Sequence, residues 1–524
     1  MAVLGYGGSN LAEAVRASYD KGMVDYSMEP LVLEDDSGIP VGTIKPGDAV
    51  IFCCRRGERE IELTDAFTAL EFPHFQRERL KGLDFVILTM YHEKYKDMPI
   101  AFAPTQVEQT LAQCISEAGM KQLHLAESEK YAHVTYFFNG GSSRTLPGED
   151  DLRVSSPKGV PFDTVPELSL PAVAVEVKEG ITKGYDFIVT NFANGDVIGH
   201  TSNTQAKVAC AACVDQHLEE VVELAKKMGY VVMITADHGN LEVAYGKEGK
   251  PHVAHTTNPV PFFLIDPQKV APLHPRDGSL QDVAPTILQV LSLRQPLLMT
   301  GESLVPGQTF GEGRKVLLII LDGWGIGQED DSNPIFVANT PYWDHLRSAY
   351  SMARLQASGE AVGLQAGKAG NSEAGHINIG AGRMVMQDDV RLDAAMKDGS
   401  FQKNPVFHRT IQNAMERGGA LHLLALLTKK SSHGSVDYPL ALLRMAKEAG
   451  LSEVYVHIIF DGRSTQPGSA PALLEELDAE MAKIDIGTIV DGVGRGIALD
   501  RDGNYHKIQK AYESMVLGKG KRYR

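Results

Sequence analysis

Apolar runs that end in acidic and histidine residues are the strongest constraint on the fold of this 524-residue chain. Residues 185–190 lead into the segment N-G-D-V-I-G-H-T, and residues 230–235 lead into T-A-D-H-G-N. Short apolar runs bounded by turn residues predict buried strands. Open α/β sheets build their sites at the carboxyl ends of such strands. We therefore expect the polar residues of both segments at the edge of a mostly parallel sheet.

The residues at these predicted strand ends are typical metal ligands. Mixed aspartate and histidine ligation suits zinc, manganese or a similar ion better than calcium or magnesium, which prefer oxygen. Each residue alone could be a capping aspartate or a core histidine, but such independent roles do not explain the set. The first group consists of Asp196, His200, Asp237, His238 and His255.

A second group supplies a further carboxylate and a candidate nucleophile. Residues 315–321 predict a buried strand that ends at Asp322, and Ser372 lies at a predicted helix start within A-G-N-S-E-A-G-H. Amides at a helix N-terminus attract phosphate, and a cation on the serine hydroxyl would make it a phosphoryl acceptor. The alternative role for Ser372 is a simple N-cap. Together the two groups predict a two-metal site for phosphoryl transfer.

Strand and helix patterns alternate along the rest of the chain. Strands are predicted at 421–427 and 454–460, each followed by a helix, at 439–448 and 469–483. A further strand at 85–91 follows a predicted helix at 72–81. Alternation of this kind predicts an α/β protein with mostly parallel sheets. Cys210 and Cys213 lie in a helical pattern at 205–227, so we interpret them as helix packing, not as a metal or redox pair.

Composition narrows the class of protein. With 43% hydrophobic residues, the chain can form the cores of two or more domains. Its net charge of −16 disfavours nucleic acid and anionic membranes as partners. No stretch approaches a membrane span, residues 1–20 lack a signal-peptide pattern, and five cysteines favour a reducing compartment. These properties predict a cytoplasmic enzyme, which we expect to be a monomer.

Five motifs resemble those of the cofactor-independent (2,3-bisphosphoglycerate-independent) phosphoglycerate mutase family of the alkaline phosphatase superfamily. They are D-G-W-G at 322–325, G-N-S-E-A-G-H at 370–376, N-G-D-V-I-G-H-T at 194–201, A-D-H-G-N at 236–240 and A-H-T-T-N-P-V-P at 254–261. In that family D-G-W-G opens the protein and A-D-H-G-N lies near its end, whereas here the order is reversed. The chain therefore resembles a circular permutant, with residues 300–314 joining the family's usual ends.

The resemblance implies two domains and the ligands of two divalent ions. A metal-binding, alkaline-phosphatase-like domain would span 103–386, and a transferase (substrate-binding) domain would comprise 1–102 and 387–524. One ion would be held by Asp196, His200 and His255, and the other by Asp322, Ser372, Asp237 and His238. Manganese is the expected ion, with cobalt, zinc or magnesium as alternatives, and no bisphosphoglycerate is expected.

The resemblance also implies a ring of substrate-binding side chains, in which cationic forks suit a ligand with a carboxylate and a phosphate. These residues are Arg56, Arg59, Lys130, His433, Arg463, Ser464, Arg495 and Arg501. Two positions depart from the family pattern. Ser464 replaces a carboxylate thought to handle a glycerate hydroxyl proton, and Cys54 and Arg55 replace an asparagine and an aromatic residue.

The reaction implied is interconversion of 3-phosphoglycerate and 2-phosphoglycerate through a phosphoserine at Ser372. A metal-dependent phosphatase or a phosphopentomutase of the same superfamily is the alternative, since it would share the metal site but not the arginines. A non-enzymatic binding protein would have lost metal ligands, and none is lost here.

Overall fold

The chain forms two compact units, one of which is discontinuous in sequence. The computed structural model describes residues 6–55, 59–104, 107–246, 249–269, 272–429, 431 and 433–524. Unit 1 comprises 1–104 and 391–524, and unit 2 comprises 105–390.

Unit 1 is built on an eight-stranded sheet in the order β16-β1-β15-β14-β13-β2-β3-β4. Its pairs are parallel except for β1 with β15. The strands are β1 (Leu31–Leu33), β2 (Ala49–Phe52), β3 (Asp84–Thr89), β4 (Ile100–Phe102), β13 (Leu421–Leu427), β14 (Val454–Phe460), β15 (Thr488–Gly494) and β16 (Lys521–Tyr523). The helices are α1 (Gly8–Tyr19), α2 (Ile61–Thr68), α11 (Asp388–Asp398), α12 (Pro405–Arg417), α13 (Asp437–Ala449), α14 (Ala470–Ile484), α15 (Arg495–Ala498) and α16 (Tyr505–Leu517).

Unit 2 is built on a second eight-stranded sheet in the order β10-β12-β9-β8-β11-β7-β5-β6. Only β9 runs antiparallel to its neighbours. The strands are β5 (Gln122–Glu127), β6 (Glu149–Val154), β7 (Phe187–Phe192), β8 (Tyr230–Thr235), β9 (Val260–Ile265), β10 (Gly278–Ser279), β11 (Lys315–Leu321) and β12 (Ala353–Gln356). The helices are α3 (Leu111–Glu117), α4 (Leu170–Lys183), α5 (Asn194–Gly199), α6 (Thr204–Lys227), α7 (Val283–Val290), α8 (Pro334–Val337), α9 (Pro341–Ala349) and α10 (Ser372–Ala381).

The predicted α/β class with mostly parallel sheets is confirmed. Strand β11 shows why, since it reads K-V-L-L-I-I-L and is buried from its second residue onward. A strand covered on both faces must be apolar throughout, as parallel sheets flanked by helices require. In unit 1, Ala49 and Ile51 of β2 join one hydrophobic cluster while Val50 and Phe52 join another, so both faces of that sheet are packed.

Helix predictions from the sequence succeeded except in one segment. The helices that follow β13 and β14 lie within two residues of the predicted bounds, and α6 carries Cys210 and Cys213 as expected. The predicted helix at 72–81 was wrong, because these residues form turns and irregular backbone. Phe72 and Phe75 instead pack against rings of α16, namely those of Tyr505 and Tyr512. Within the described ranges, no helix combines the length and apolar character needed to cross a membrane.

Candidate metal centre and substrate residues

Three neighbouring parallel strands of unit 2 deliver aspartates to one edge of the sheet. Strand β11 lies between β8 and β7. Asp322 follows β11 directly, Asp237 lies two residues beyond β8, and Asp196 lies in the first turn of α5 after β7. All three are at least nine-tenths buried. Carboxylates so close together in the interior need cations or hydrogen-bond donors to compensate them.

Asp196, His200 and His255 converge on one point. Asp196 Oδ1 lies 2.9 Å from His255 Nε2 and 3.2 Å from His200 Nε2, and the two Nε2 atoms are 3.0 Å apart. His200 Nδ1 donates to the Val253 carbonyl and His255 Nδ1 to the Gly370 carbonyl, both at 2.8 Å. A histidine that donates from one nitrogen to a carbonyl presents the other to a metal. This group therefore fits the first predicted ion.

The second group surrounds Ser372, whose hydroxyl lies deep in the cluster. Ser372 Oγ is 3.0 Å from His238 Nε2 and donates to Asp322 Oδ1 at 3.2 Å. Asp237 Oδ2 is buried and has no hydrogen-bond partner among the described residues. An orphaned carboxylate oxygen facing other ligand atoms fits a cation better than a structural role. The proposed ligands of the two ions together form the carboxylate-histidine cluster, which consists of Asp196, His200, Asp237, His238, His255, Asp322 and Ser372.

Ser372 is not the helix cap. Asn371 is the N-cap of α10, and its side chain accepts from Ala374 N at 2.8 Å. Ser372 is the first residue of the helix, and its hydroxyl points to Lys130, His238 and Asp322. The capping alternative therefore does not describe this serine. The helix N-terminus beside it also favours negative charge, including that of a phosphoryl group.

Lys130 lies in the cluster, in unit 2, and not among the arginines of unit 1. Its Nζ donates to Asp196 Oδ2 at 2.7 Å, Asp322 Oδ1 at 2.8 Å and Ser372 Oγ at 2.7 Å. Burial alone would lower the pKa of Lys130, but the carboxylates of Asp322 and Asp196 raise it above its ordinary value. A lysine that stays charged beside the serine hydroxyl can stabilise negative charge that develops there.

Sequence reasoning missed two buried residues beside the cluster. His376 could join Asp237 and Asp322 in a metal-binding group, and its Nδ1 lies 2.8 Å from the Ser372 carbonyl. Asn191 Nδ2 donates to Asp322 Oδ2 at 2.6 Å and lies 3.0 Å from His376 Nε2. His376 could have been found, because it lies four residues after Ser372 on the same helix face. Asn191 could not have been identified from the sequence, because nothing distinguishes it from other polar residues within predicted strands.

One further group in unit 2 has metal-ligand residue types, but two of its three residues are already hydrogen bonded through ligand atoms. It consists of His124, Glu149 and Asp151. His124 Nδ1 lies 2.7 Å from the Val134 carbonyl, and Glu149 accepts from Asn139 Nδ2 at 2.7 Å. Binding a cation there would break these hydrogen bonds.

The predicted substrate residues of unit 1 gather at the carboxyl ends of β14 and β15. Arg495 Nη1 donates to Asp461 Oδ1 at 2.6 Å, and Arg495 Nη2 lies 3.1 Å from His433 Nε2. Ser464 N donates to the same Asp461 oxygen at 3.2 Å. His433, Arg495 and the loop that carries Ser464 are therefore brought together. Arg495 is buried, which is costly for a cation without such partners.

The remaining predicted substrate residues are less buried. Arg463 and Arg501 are exposed, and Arg59 Nη1 donates to the Leu499 carbonyl at 3.3 Å, next to α15. Arg56 lies outside the described residues. At the departure noted in the sequence, Arg55 is buried and bonds to Asp393 at 3.3 Å and to the Ser431 carbonyl at 2.5 Å. It therefore ties three segments of unit 1 together.

Sequence comparison identifies family profiles and curated proteins that this chain resembles. The metalloenzyme superfamily profile matches residues 42–295, and the profile of the BPG-independent PGAM N-terminus (iPGM_N) matches 392–524. A 2,3-bisphosphoglycerate-independent phosphoglycerate mutase of Moorella thermoacetica is 43% identical over 304 residues, which cover 57% of this chain and 58% of the relative. Over a little more than half its length, the chain is similar to 2,3-bisphosphoglycerate-independent phosphoglycerate mutases. The similarity to this family that the five motifs indicate is thereby confirmed.

A second curated relative has the same name and a similar extent of match. The enzyme of the same name from Salinibacter ruber is 43% identical over 300 residues, covering 56% of this chain and 57% of the relative. A crystal structure of Leishmania mexicana phosphoglycerate mutase at low cobalt concentration matches with a TM-score of 0.42 and 28% identity over 52% of each chain. The chain spans a little over half the length of the curated relatives it matches.

Proposed function

We propose that this chain interconverts 3-phosphoglycerate and 2-phosphoglycerate through a phosphoserine at Ser372. The observation that carries the proposal is the position of the Ser372 hydroxyl. It lies among Lys130, His238 and Asp322, at the start of α10, in a cluster with enough ligands for two cations. A buried serine so placed suits acceptance of a phosphoryl group better than a role in packing.

Three residues have a direct chemical task in this proposal, namely Ser372, Asp322 and Lys130. Ser372 Oγ forms a bond to the substrate phosphorus as the bond to the glycerate oxygen breaks. Asp322 Oδ1 lies within hydrogen-bond distance of the Ser372 hydroxyl and can accept its proton, and the Lys130 ammonium stabilises charge on the reacting oxygens. The other glycerate hydroxyl then attacks the phosphoserine and restores Ser372.

The residues fit two divalent ions, for which we propose manganese. Asp196, His200 and His255 would hold one, and Asp322, Ser372, Asp237 and His238 the other. When bound, such ions supply Lewis-acid stabilisation of phosphoryl oxygens and lower the pKa of a coordinated hydroxyl. The converging histidine Nε2 atoms and the orphaned Asp237 oxygen support this assignment.

We further propose that unit 2 is the metal domain, that unit 1 is the transferase domain, and that the chain is circularly permuted. The profile described as an N-terminus matches the segment 392–524, downstream of the metalloenzyme match. The Arg495, Asp461 and His433 group of unit 1 supports a site for an anionic substrate. The monomeric state and cytoplasmic location stay predictions.

Conversion of 3-phosphoglycerate by the purified, manganese-loaded protein tests the function. We expect 2-phosphoglycerate to form without added bisphosphoglycerate, followed by phosphorus NMR, which separates both esters from free phosphate. Release of free phosphate alone would make the chain a phosphatase. Absence of any product would leave no support for an enzyme acting on this substrate.

Ser464→Asp should raise the ratio of mutase to phosphatase rates. Ser464 is exposed on the loop where Asp461 is pinned by Arg495, and a serine hydroxyl is a poor base at neutral pH. A positioned base contributes roughly 10²-fold or more, so retransfer to glycerate should gain on hydrolysis. The rates of 2-phosphoglycerate and free phosphate formation are measured together. Ser464→Asn is the matched control, and an equal ratio in both variants would mean that another group already moves this proton.

A further inference from the structure

We propose that Glu242, a residue outside the carboxylate-histidine cluster, is a positioning residue. It would hold three loops that carry proposed metal ligands in fixed positions relative to one another. The inference rests on the proposed two-metal function and deepens it. Glu242 lies two residues after the A-D-H-G-N segment and is almost fully buried. It does not belong to any of the groups of described residues that could hold a metal.

The carboxylate of Glu242 accepts hydrogen bonds from all three loops. Oε2 accepts from Asn240 N at 2.8 Å, in the loop of Asp237 and His238, and from Gly325 N at 3.2 Å, in the loop of Asp322. Oε1 accepts from the Thr256 hydroxyl and from Asn258 Nδ2 at 2.8 Å, in the loop of His255. Four donors fill the acceptor positions of one carboxylate.

The fourth ligand segment is tied in through Asn240. The backbone of Asn240 donates to Glu242, and its side-chain Nδ2 donates to Asp196 Oδ1 at 3.0 Å. Asp196 Oδ1 is the atom that faces His200 and His255. A shift of Glu242 would therefore reach every segment that contributes a ligand from a strand end.

The carboxylate packs closely against two glycines. A Cβ at Gly325 would overlap the Glu242 carboxylate, and a Cβ at Gly239 would overlap both that carboxylate and the Thr256 hydroxyl. Glycine at both positions therefore leaves the space that the carboxylate occupies. The Gly239 and Thr256 backbones also pair as an isolated antiparallel bridge. The glycines and the four donors together hold the carboxylate in contact with all three loops.

Residues that orient metal ligands are known to matter almost as much as the ligands. Their loss typically costs about 10- to 100-fold in metal affinity or activity. Glu242→Gln keeps the shape but replaces one acceptor oxygen with a donor, which then faces donors of the loops. Some of the four hydrogen bonds must break, and the ligand atoms should separate.

The test compares Glu242→Gln with Asp215→Asn in the full-length protein. Asp215 is also a buried carboxylate that accepts from backbone amides, but it lies on α6, outside every group of described residues that could hold a metal. Cobalt titration, followed by visible absorption, reports ligand geometry without any turnover. We expect Glu242→Gln to bind cobalt about 10- to 100-fold more weakly, with an altered spectrum, and Asp215→Asn to bind like the parent.

Kinetics provide a second readout. With saturating manganese, Glu242→Gln should lower kcat while KM changes little, because the proposed substrate residues of unit 1 are untouched. If Glu242→Gln does not fold, Thr256→Val removes one donor with little change of shape, and Thr256→Ser should restore cobalt affinity. Unchanged cobalt affinity and spectrum in both Glu242→Gln and Thr256→Val would overturn the proposal, whether or not the parent proves to be a mutase. A parent that binds no cobalt would overturn both proposals.

Discussion

Ser372→Ala is expected to abolish phosphoglycerate interconversion, with a loss in kcat that can reach the order of 10⁶-fold when a catalytic serine is removed. The substitution deletes the proposed phosphoryl acceptor and leaves its neighbours in place. Asp322, His238 and Lys130 keep their contacts with one another and with the rest of the cluster. Metal content should therefore remain nearly intact while turnover disappears.

Steady-state rates, metal analysis and acid-quenched phosphoserine measure this outcome. Ser348→Ala is the matched control, because Ser348 is also a helical serine of unit 2. Among the described residues, its hydroxyl donates a hydrogen bond to the His345 carbonyl and makes none to a residue of the cluster. The control should keep the parent rate and form phosphoserine. More than trace turnover in Ser372→Ala would mean that the phosphoserine route is wrong.

Removal of divalent ions is expected to inactivate the protein completely and reversibly. The cluster brings three carboxylates and three histidine Nε2 atoms together, and this charge and ligand set suits manganese or cobalt. Calcium prefers oxygen ligands at longer distances, so it should restore far less activity. Without ions, the buried carboxylates would be compensated only in part, by Lys130, the histidines and hydrogen-bond donors such as Asn191 and Asn240.

To test this, the protein is dialysed against a chelator and its metal content is measured. Each ion is then added back in steps, and turnover is measured at each step. The same preparation serves as its own control, since recovery with manganese shows that the fold survived. Full turnover by protein shown to be metal-free would remove the metal hypothesis.

The strand ends of unit 2 could be predicted because their signal is local. Each of β7, β8 and β11 is an apolar run followed within a few residues by an aspartate, and parallel order brings these ends together. The helix predicted at 72–81 failed for a nonlocal reason. Its aromatic residues satisfy a helical pattern, yet they pack on α16, more than 400 residues away in sequence.

Residues that act through other residues were harder to foresee. Lys130 was grouped with the substrate ring, and only the fold shows that its amine contacts Asp196, Asp322 and Ser372. Glu242 is one acidic residue among many in the sequence, and its partners Gly325 and Thr256 lie 83 and 14 residues away. Hydrogen bonds between distant loops leave no periodic pattern that a single sequence could display.

The strand order in the sheet of unit 1 determines when that sheet can be completed during synthesis. Strand β1 lies between β15 and β16, so one of the first strands to be made pairs only with the last two. Unit 2 comprises residues 105–390, all of which are made before β13. At about 5–20 residues per second, it has roughly 10 s on the ribosome before β16 is made. All residues of unit 2, including the carboxylate-histidine cluster, are therefore synthesised while β1 is still unpaired, because β15 and β16 have not yet been made.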